Sequence, residues 1–101
     1  MSTQILEYNL DMYDTPGMRR FVIEGEAATP VGIVVRDDEM FLQIEHTDGA
    51  GKWHDIRVEI HGTGWPIPFV DDVIYVGTGN VYDFVWHVFI PLMSAIMTRQ
   101  I

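Results

Sequence analysis

The stretch "WHDIRVEIH", Trp53 to His61, sets Ile56, Val58 and Ile60 on one side of an extended backbone and Asp55, Arg57 and Glu59 on the other. Successive side chains of a strand point to opposite faces, so a period of two places one face in a core and the other in water. The pattern recurs along the chain. In "ILEYNL" (Ile5 to Leu10) Leu6, Tyr8 and Leu10 alternate with Ile5, Glu7 and Asn9. In "MFLQIEHT" (Met40 to Thr47) Met40, Leu42 and Ile44 alternate with Phe41, Gln43 and Glu45. A chain patterned in this way folds as sheet.

The remaining segments extend that reading. "DTPG" (Asp14 to Gly17) is a turn signal, with proline pre-setting φ and glycine free to take positive φ, and "MRRFVIEG" (Met18 to Gly25) is the expected hairpin partner of the first strand. The apolar run of "PVGIVVRDD" (Pro30 to Asp38) suggests a central strand or one buried on both faces. "RDDEM" and "DGAGK" read as hairpin loops, and "GTGN" as a tight turn between "DVIYVGTG" (Asp72 to Gly79) and "VYDFVWHVFI" (Val81 to Ile90). The expected fold is mainly β, about seven short antiparallel strands in a small sandwich or partly open barrel. "PLMSAIMTRQI" breaks the pattern: Pro91 suits a first helical position, and Leu92, Met93, Ile96 and Met97 recur with helical spacing. One domain is therefore expected over 1–101, with strands in 1–90 and a short helical tail in 91–101.

Composition narrows the function classes. With 101 residues, 48% of them hydrophobic and 12% aromatic, the chain is long and apolar enough for one modest core. A formal charge of −9 repels polyanions, so direct nucleic-acid binding is not expected. The absence of cysteine excludes disulfides and thiolate metal sites. No apolar run approaches the roughly 18 residues of a membrane span, and the start carries no leader pattern. A soluble, cytoplasmic protein is expected.

"HGTGWPIP" (His61 to Pro68) invites comparison with a phosphate-binding loop, but such a loop needs converging backbone N–H groups at a helix N-terminus, usually with a lysine. Here two prolines remove donors and no lysine or helical pattern follows. A stiff strand connection is the simpler reading, in which Trp65 either caps the core or, with Pro66, Ile67 and Phe69, anchors a partner. The succession "GTGWPIP", "YVGTG", "FVWHVFI" resembles a family of small uncharacterised proteins common in bacteriophages and mobile elements. The matching positions are Gly62, Thr63, Gly64, Pro66, Ile67 and Pro68, then Tyr75, Gly77 and Thr78, then Val85, Trp86 and His87. The resemblance implies a β fold and a phage-type accessory protein, and it implies no reaction.

Chemistry-bearing residues are sparse. His46, His54, His61 and His87 lack the spacing of a zinc site, so structural or solvated roles are expected and neither metal nor cofactor. His87, on an apolar strand, is expected to be partly buried and satisfied by a hydrogen bond. Asp37–Asp38 and Asp71–Asp72 fall in turns, where aspartate closes its own backbone. No cysteine nucleophile or Gly-x-Ser-x-Gly elbow exists, and the serines lie near the ends. An enzyme is the least favoured reading. The favoured one is a non-enzymatic binding module, a phage-encoded accessory protein acting on a host defence or regulatory factor. The alternative is a small-molecule binder sequestering a nucleotide-like signal, with Arg36, Arg57 and Trp53 as candidate ligand contacts.

A helix as short as the tail is marginal alone, so the stripe of Leu92, Met93, Ile96 and Met97 must pack on something. Self-association as a two-fold dimer through the tail is expected. Light scattering on the intact chain and on one ending at Ile90 tests this. The intact chain should be dimeric at tens of micromolar and the truncated one monomeric; an intact monomer refutes the expectation, and a truncated dimer places the interface elsewhere.

Overall fold

The computed structural model describes residues 2–12, 17–64 and 73–91. Seven strands follow in order: β1 (Thr3–Asn9), β2 (Met18–Glu24), β3 (Ala27–Arg36), β4 (Glu39–Thr47), β5 (Trp53–Gly62), β6 (Val73–Val81) and β7 (Phe84–Pro91). They form a three-stranded sheet of order β1-β4-β3 and a four-stranded sheet of order β2-β5-β7-β6, with every pairing antiparallel. The expected β fold is the one found, as two packed sheets rather than a closed barrel. The helix expected over the tail, with Leu92, Met93, Ile96 and Met97, lies outside the described residues.

The alternation decides what goes inside. Met40, Leu42 and Ile44 of β4 meet Val58 and Ile60 of β5, Val81 of β6 and Val88 of β7 in a core where each side chain is at most 1% exposed. Burying each such side chain is worth about 1.5–3 kcal/mol, which makes this layer the main source of stability. Tyr8 from β1 and Phe21 from β2 close one flank, their ring centroids 5.4 Å apart. Arg19 stitches the sheets on that flank: its Nε donates to the carbonyl of Leu10 at 2.7 Å and its Nη2 to that of Asp11 at 3.2 Å.

The structure departs from the local reading in four places. β1 and β2 are not a hairpin, because β1 pairs with β4 and β2 with β5; the chain crosses between sheets there, and again at "DGAGK" between β4 and β5. Turn composition signals a change of direction but not whether the next strand pairs with the last. β3 is an edge strand, not a central one, with a bulge between Pro30 and Gly32 that leaves Val31 49% exposed. "GTGN" is not a turn either. β6 runs through it, and the two-residue turn is Tyr82–Asp83, both at positive φ like Asp37–Asp38 in the β3–β4 hairpin.

The reason lies in the sheet spacing. Gly77 and Gly79 face inward, and a Cβ on Gly77 would sit 2.8 Å from Ile33, one on Gly79 2.7 Å from both Met40 Sδ and Val35 Cγ2. Gly25 has a similar role at the β2–β3 corner. There His46 Nε2 donates to the Glu24 carbonyl at 2.8 Å and His54 Nε2 to the Gly25 carbonyl at 2.9 Å, while Nδ1 of His46 is buried without a partner. The two histidines thus approach from opposite sheets and secure the crossing. A Cβ on Gly25 would meet His46 Nε2 at 2.5 Å and the Thr47 carbonyl oxygen at 2.7 Å. Gly25→Ala should therefore cost about 1–3 kcal/mol, and Gly79→Ala less, because both atoms it would meet, Met40 Sδ and Val35 Cγ2, belong to side chains and the thioether can change rotamer, whereas the Thr47 backbone oxygen cannot yield. Denaturant midpoints of the two variants check the ranking, and a reversed order contradicts it.

Candidate functional site

The outer face of the four-stranded sheet gathers the unusual side chains. β5 turns Trp53, Asp55, Arg57, Glu59 and His61 outward, because Ile56, Val58 and Ile60 are committed to the core. Pairing then builds rows across the sheet. Met18, Glu59, Phe89 and Tyr75 form one row, and His61, His87 and Thr78 the next. A bulge between Tyr75 and Gly77 is what brings Tyr75 to this face: Val76 is the extra residue, so Tyr75 and Thr78, three apart, both point outward.

A chain of hydroxyl and imidazole groups runs along these rows. The Tyr75 hydroxyl is bonded to Thr78 Oγ1, Thr78 Oγ1 lies 3.0 Å from His87 Nδ1, and His87 Nε2 lies 2.8 Å from Thr63 Oγ1. Thr63 Oγ1 in turn donates to the Val85 carbonyl at 3.4 Å. Because that carbonyl can only accept, the Thr63 oxygen accepts from His87 Nε2–H, which leaves Nδ1 to accept from Thr78. All the protons then point one way, from Tyr75 towards Val85. His87 is half-buried and satisfied, as its place on an apolar strand led one to expect, and its partners are the two threonines. Beside the chain, Phe89 lies between Tyr75, at 5.7 Å, and His61, at 5.9 Å, and His61 Nε2 is 3.2 Å from Glu59 Oε2.

The other half of the face is ionic. Arg20 and Arg57 stand directly opposite each other on β2 and β5, and one carboxylate, Asp55, serves both: Oδ1 takes Arg20 Nε at 2.9 Å and Oδ2 takes Arg57 Nη2 at 3.0 Å. Hydrogen bonding from Arg20, joined by that from Arg57 and opposed by partial desolvation, holds the Asp55 carboxyl below the usual carboxylate range. A lowered value means this cluster supports the fold above the unfolded carboxyl pKa of about 3.9 and loses that support as pH falls through the folded one.

The candidate ligand residues do not assemble. Arg57 and Trp53 share this face four residues apart on β5, whereas Arg36 lies on the opposite side of the molecule. There Arg36 sits 4.7 Å over the Phe41 ring and grips Glu7 with both nitrogens, Nη2 to Oε1 at 2.6 Å and Nη1 to Oε2 at 3.2 Å. That contact, with Gln43, holds the Glu7 carboxyl low. The partner-binding candidates Trp65, Pro66, Ile67 and Phe69 lie outside the described residues, as do Asp71 and Asp72. Among the described residues no three histidine or acidic side chains converge in a group able to hold a metal, and no helix is long and apolar enough to cross a membrane. Sequence reasoning missed the Arg20–Asp55–Arg57 cluster and the roles of Thr63 and Thr78. The alternation of β5 did place Asp55 and Arg57 on the wet face, but the alignment with Arg20 needed the register.

The proton order is testable. Nitrogen NMR of His87 should show the Nε2–H tautomer, and Thr63→Val, which removes the acceptor at an exposed position where water can replace it, should cost about 1 kcal/mol or less. An Nδ1–H pattern in the intact chain contradicts the assignment.

Thr63, Tyr75, Thr78 and His87 are the positions at which the three sequence signatures meet in space, which gives those signatures a shared structural meaning. The chain matches no curated protein and no solved structure. A family model does match, over residues 1–95 and so well beyond the last third of the chain, and on that extent the chain belongs to the DUF7352 family, a domain of unknown function.

Proposed function

We propose that this chain is a non-enzymatic protein-binding module that works through the outer face of its four-stranded sheet. One observation carries the reading: Met18, Val22, Trp53, Tyr75 and Val85, between 39% and 64% exposed, all point from this face, while a sheet's wet side ordinarily alternates to polar residues. Aromatic and methionine side chains beside arginines are the residue types enriched where proteins meet. Arg20 and Arg57 share the one carboxylate of Asp55 here, while Glu59 is engaged by His61, in a chain of net charge −9. The polar chain through His87 supports a scaffolding role more than a catalytic one. Both imidazole nitrogens meet hydroxyls, and among the described residues no carboxylate is bonded to the ring to stabilise an imidazolium as a general base requires.

Within this reading the partner is a host protein, the chain a phage-encoded accessory factor in the host cytoplasm, and the tail a means of dimerisation. The small-molecule alternative is weakened by the separation of Arg36 from Arg57 and Trp53. The deciding experiment is capture from host lysate at physiological salt followed by mass spectrometry, with a Trp53→Asp, Val85→Asp double variant alongside. Both sites are exposed, so the fold should hold while a stoichiometric partner is lost. A wild-type chain that captures nothing, or a variant that retains the partner, refutes the proposal. A rise in melting temperature with excess nucleotide favours the alternative instead.

A further inference from the structure

The two sheets have four edge strands, β1, β3, β2 and β6, and they are not equally protected. β3 carries Pro30 and a bulge, β6 carries a bulge, and these two edges lie on the same side of the molecule, where Gly77 and Gly79 of β6 press on Ile33 and Val35 of β3. Bulges and proline are the usual devices against unwanted pairing. β1 and β2 have neither, and each keeps unbroken register over seven residues.

The phase of the β2 ladder shows which groups are free. Ile60 N–H donates to the Gly17 carbonyl at 2.8 Å and Gly25 N–H to the Lys52 carbonyl at 3.0 Å, so odd-numbered residues from 17 to 25 face β5. The even-numbered ones therefore turn their N–H and C=O to the open edge. Two of those carbonyls are engaged, Met18 by Arg19 Nη1 at 3.2 Å and Glu24 by His46 Nε2 at 2.8 Å. Between them Arg20 and Val22 present both donor and acceptor, with no strand among the described residues on that side. The same two residues send their side chains to the outer face, where Val22 is 53% exposed and Arg20 stands beside Arg57 with a single carboxylate between them. The β1 edge offers no such charge excess, because its one charged side chain, Glu7, is held by Arg36.

We infer that the β2 edge is a strand-addition site: a short extended segment of a partner protein continues the four-stranded sheet by main-chain hydrogen bonds to Arg20 and Val22, and sets an aspartate or glutamate against the Arg20–Arg57 pair. This rests on the protein-binding reading above and names the chemistry of what is bound. Main-chain bonds supply affinity without sequence preference, and alternate side chains supply the choice. The second arginine supplies the charge that Asp55 leaves unbalanced, and Met18 and Val22 receive the apolar residues on either side of the acid. The window is about five residues, bounded by the two engaged carbonyls.

Selection of a displayed library of random linear peptides on the intact protein tests the idea. Enriched sequences should carry one acidic residue between apolar ones at alternate positions. The strongest peptide, added to labelled protein, should slow exchange of the Arg20 and Val22 amides. Its affinity should fall about tenfold or more in Arg20→Gln, and equally when its own carboxyl is replaced by the amide. Val22→Pro, which removes an outward N–H and no bond to β5, should abolish binding; the exchange measurement on the wild-type chain decides the matter if that variant does not fold. Failure to enrich acidic peptides, or enriched peptides indifferent to Arg20→Gln that leave both amides exchanging freely, overturns the inference. If a lysate partner is captured and survives Arg20→Gln unchanged, the edge assignment falls while the binding-module reading stands.

Discussion

Close approach of the two sheets at Gly77 and Gly79 is the constraint from which most of the molecule's surface chemistry follows. Ile33, Val35 and Met40 occupy the space where any side chain on those positions would have to go. Period two then leaves Thr78 no choice of face: with a glycine inward on each side, it stands outward, opposite His87. The first Gly-Thr-Gly repeats the device. Gly62 is buried opposite Trp86, and Thr63 emerges on the other side of the same histidine. Gly62, Gly77 and Gly79 face the core and the threonines the outer face, whereas Gly64 is exposed at positive φ with open space around it.

The margin of the core and the two outer faces use polar groups differently. At the partly buried margin of the core, Arg19, His46 and His54 bond to backbone carbonyls where the chain ends a strand or crosses between sheets, which satisfies groups that no ladder reaches. On the three-stranded sheet, Arg36, Phe41, Glu7 and Gln43 form a closed set whose charges cancel. On the four-stranded sheet the set stays open, because two arginines share Asp55 and large apolar side chains stand around them in water. Exposed ion pairs contribute little to stability. The distinction between the faces is therefore one of what each can still bind.

Much of the fold was legible because alternation reports directly on which face of a strand is buried. Leu42, Ile44, Val58 and Ile60 were assigned to the core from spacing alone, and all are buried. The failures share one cause. "DTPG" and "DGAGK" read locally as hairpin loops, yet both join strands of different sheets, since a loop's composition specifies backbone dihedrals and not the partner of the next strand. "GTGN" was read as a turn because glycine is permissive, whereas here its lack of a side chain matters more than its range of φ. The candidate site was legible only as separate signatures. Residue type alone groups Arg36 with Arg57 and Trp53, and the topology puts it on the opposite face.

By itself, then, the sequence determined the β class, the seven strands and the inward residues of β1, β4 and β5, because the two-residue repeat is a property of an extended backbone and needs no knowledge of neighbours. Only the tertiary structure decided which strands pair, that Thr63, Tyr75 and Thr78 converge on His87, and that Arg20 faces Arg57 across one carboxylate beside an open edge. Those facts depend on register and on a bulge at Val76, where a shift of one residue moves a side chain from one face to the other. Local patterning cannot fix a shift that small, and packing of the two sheets can.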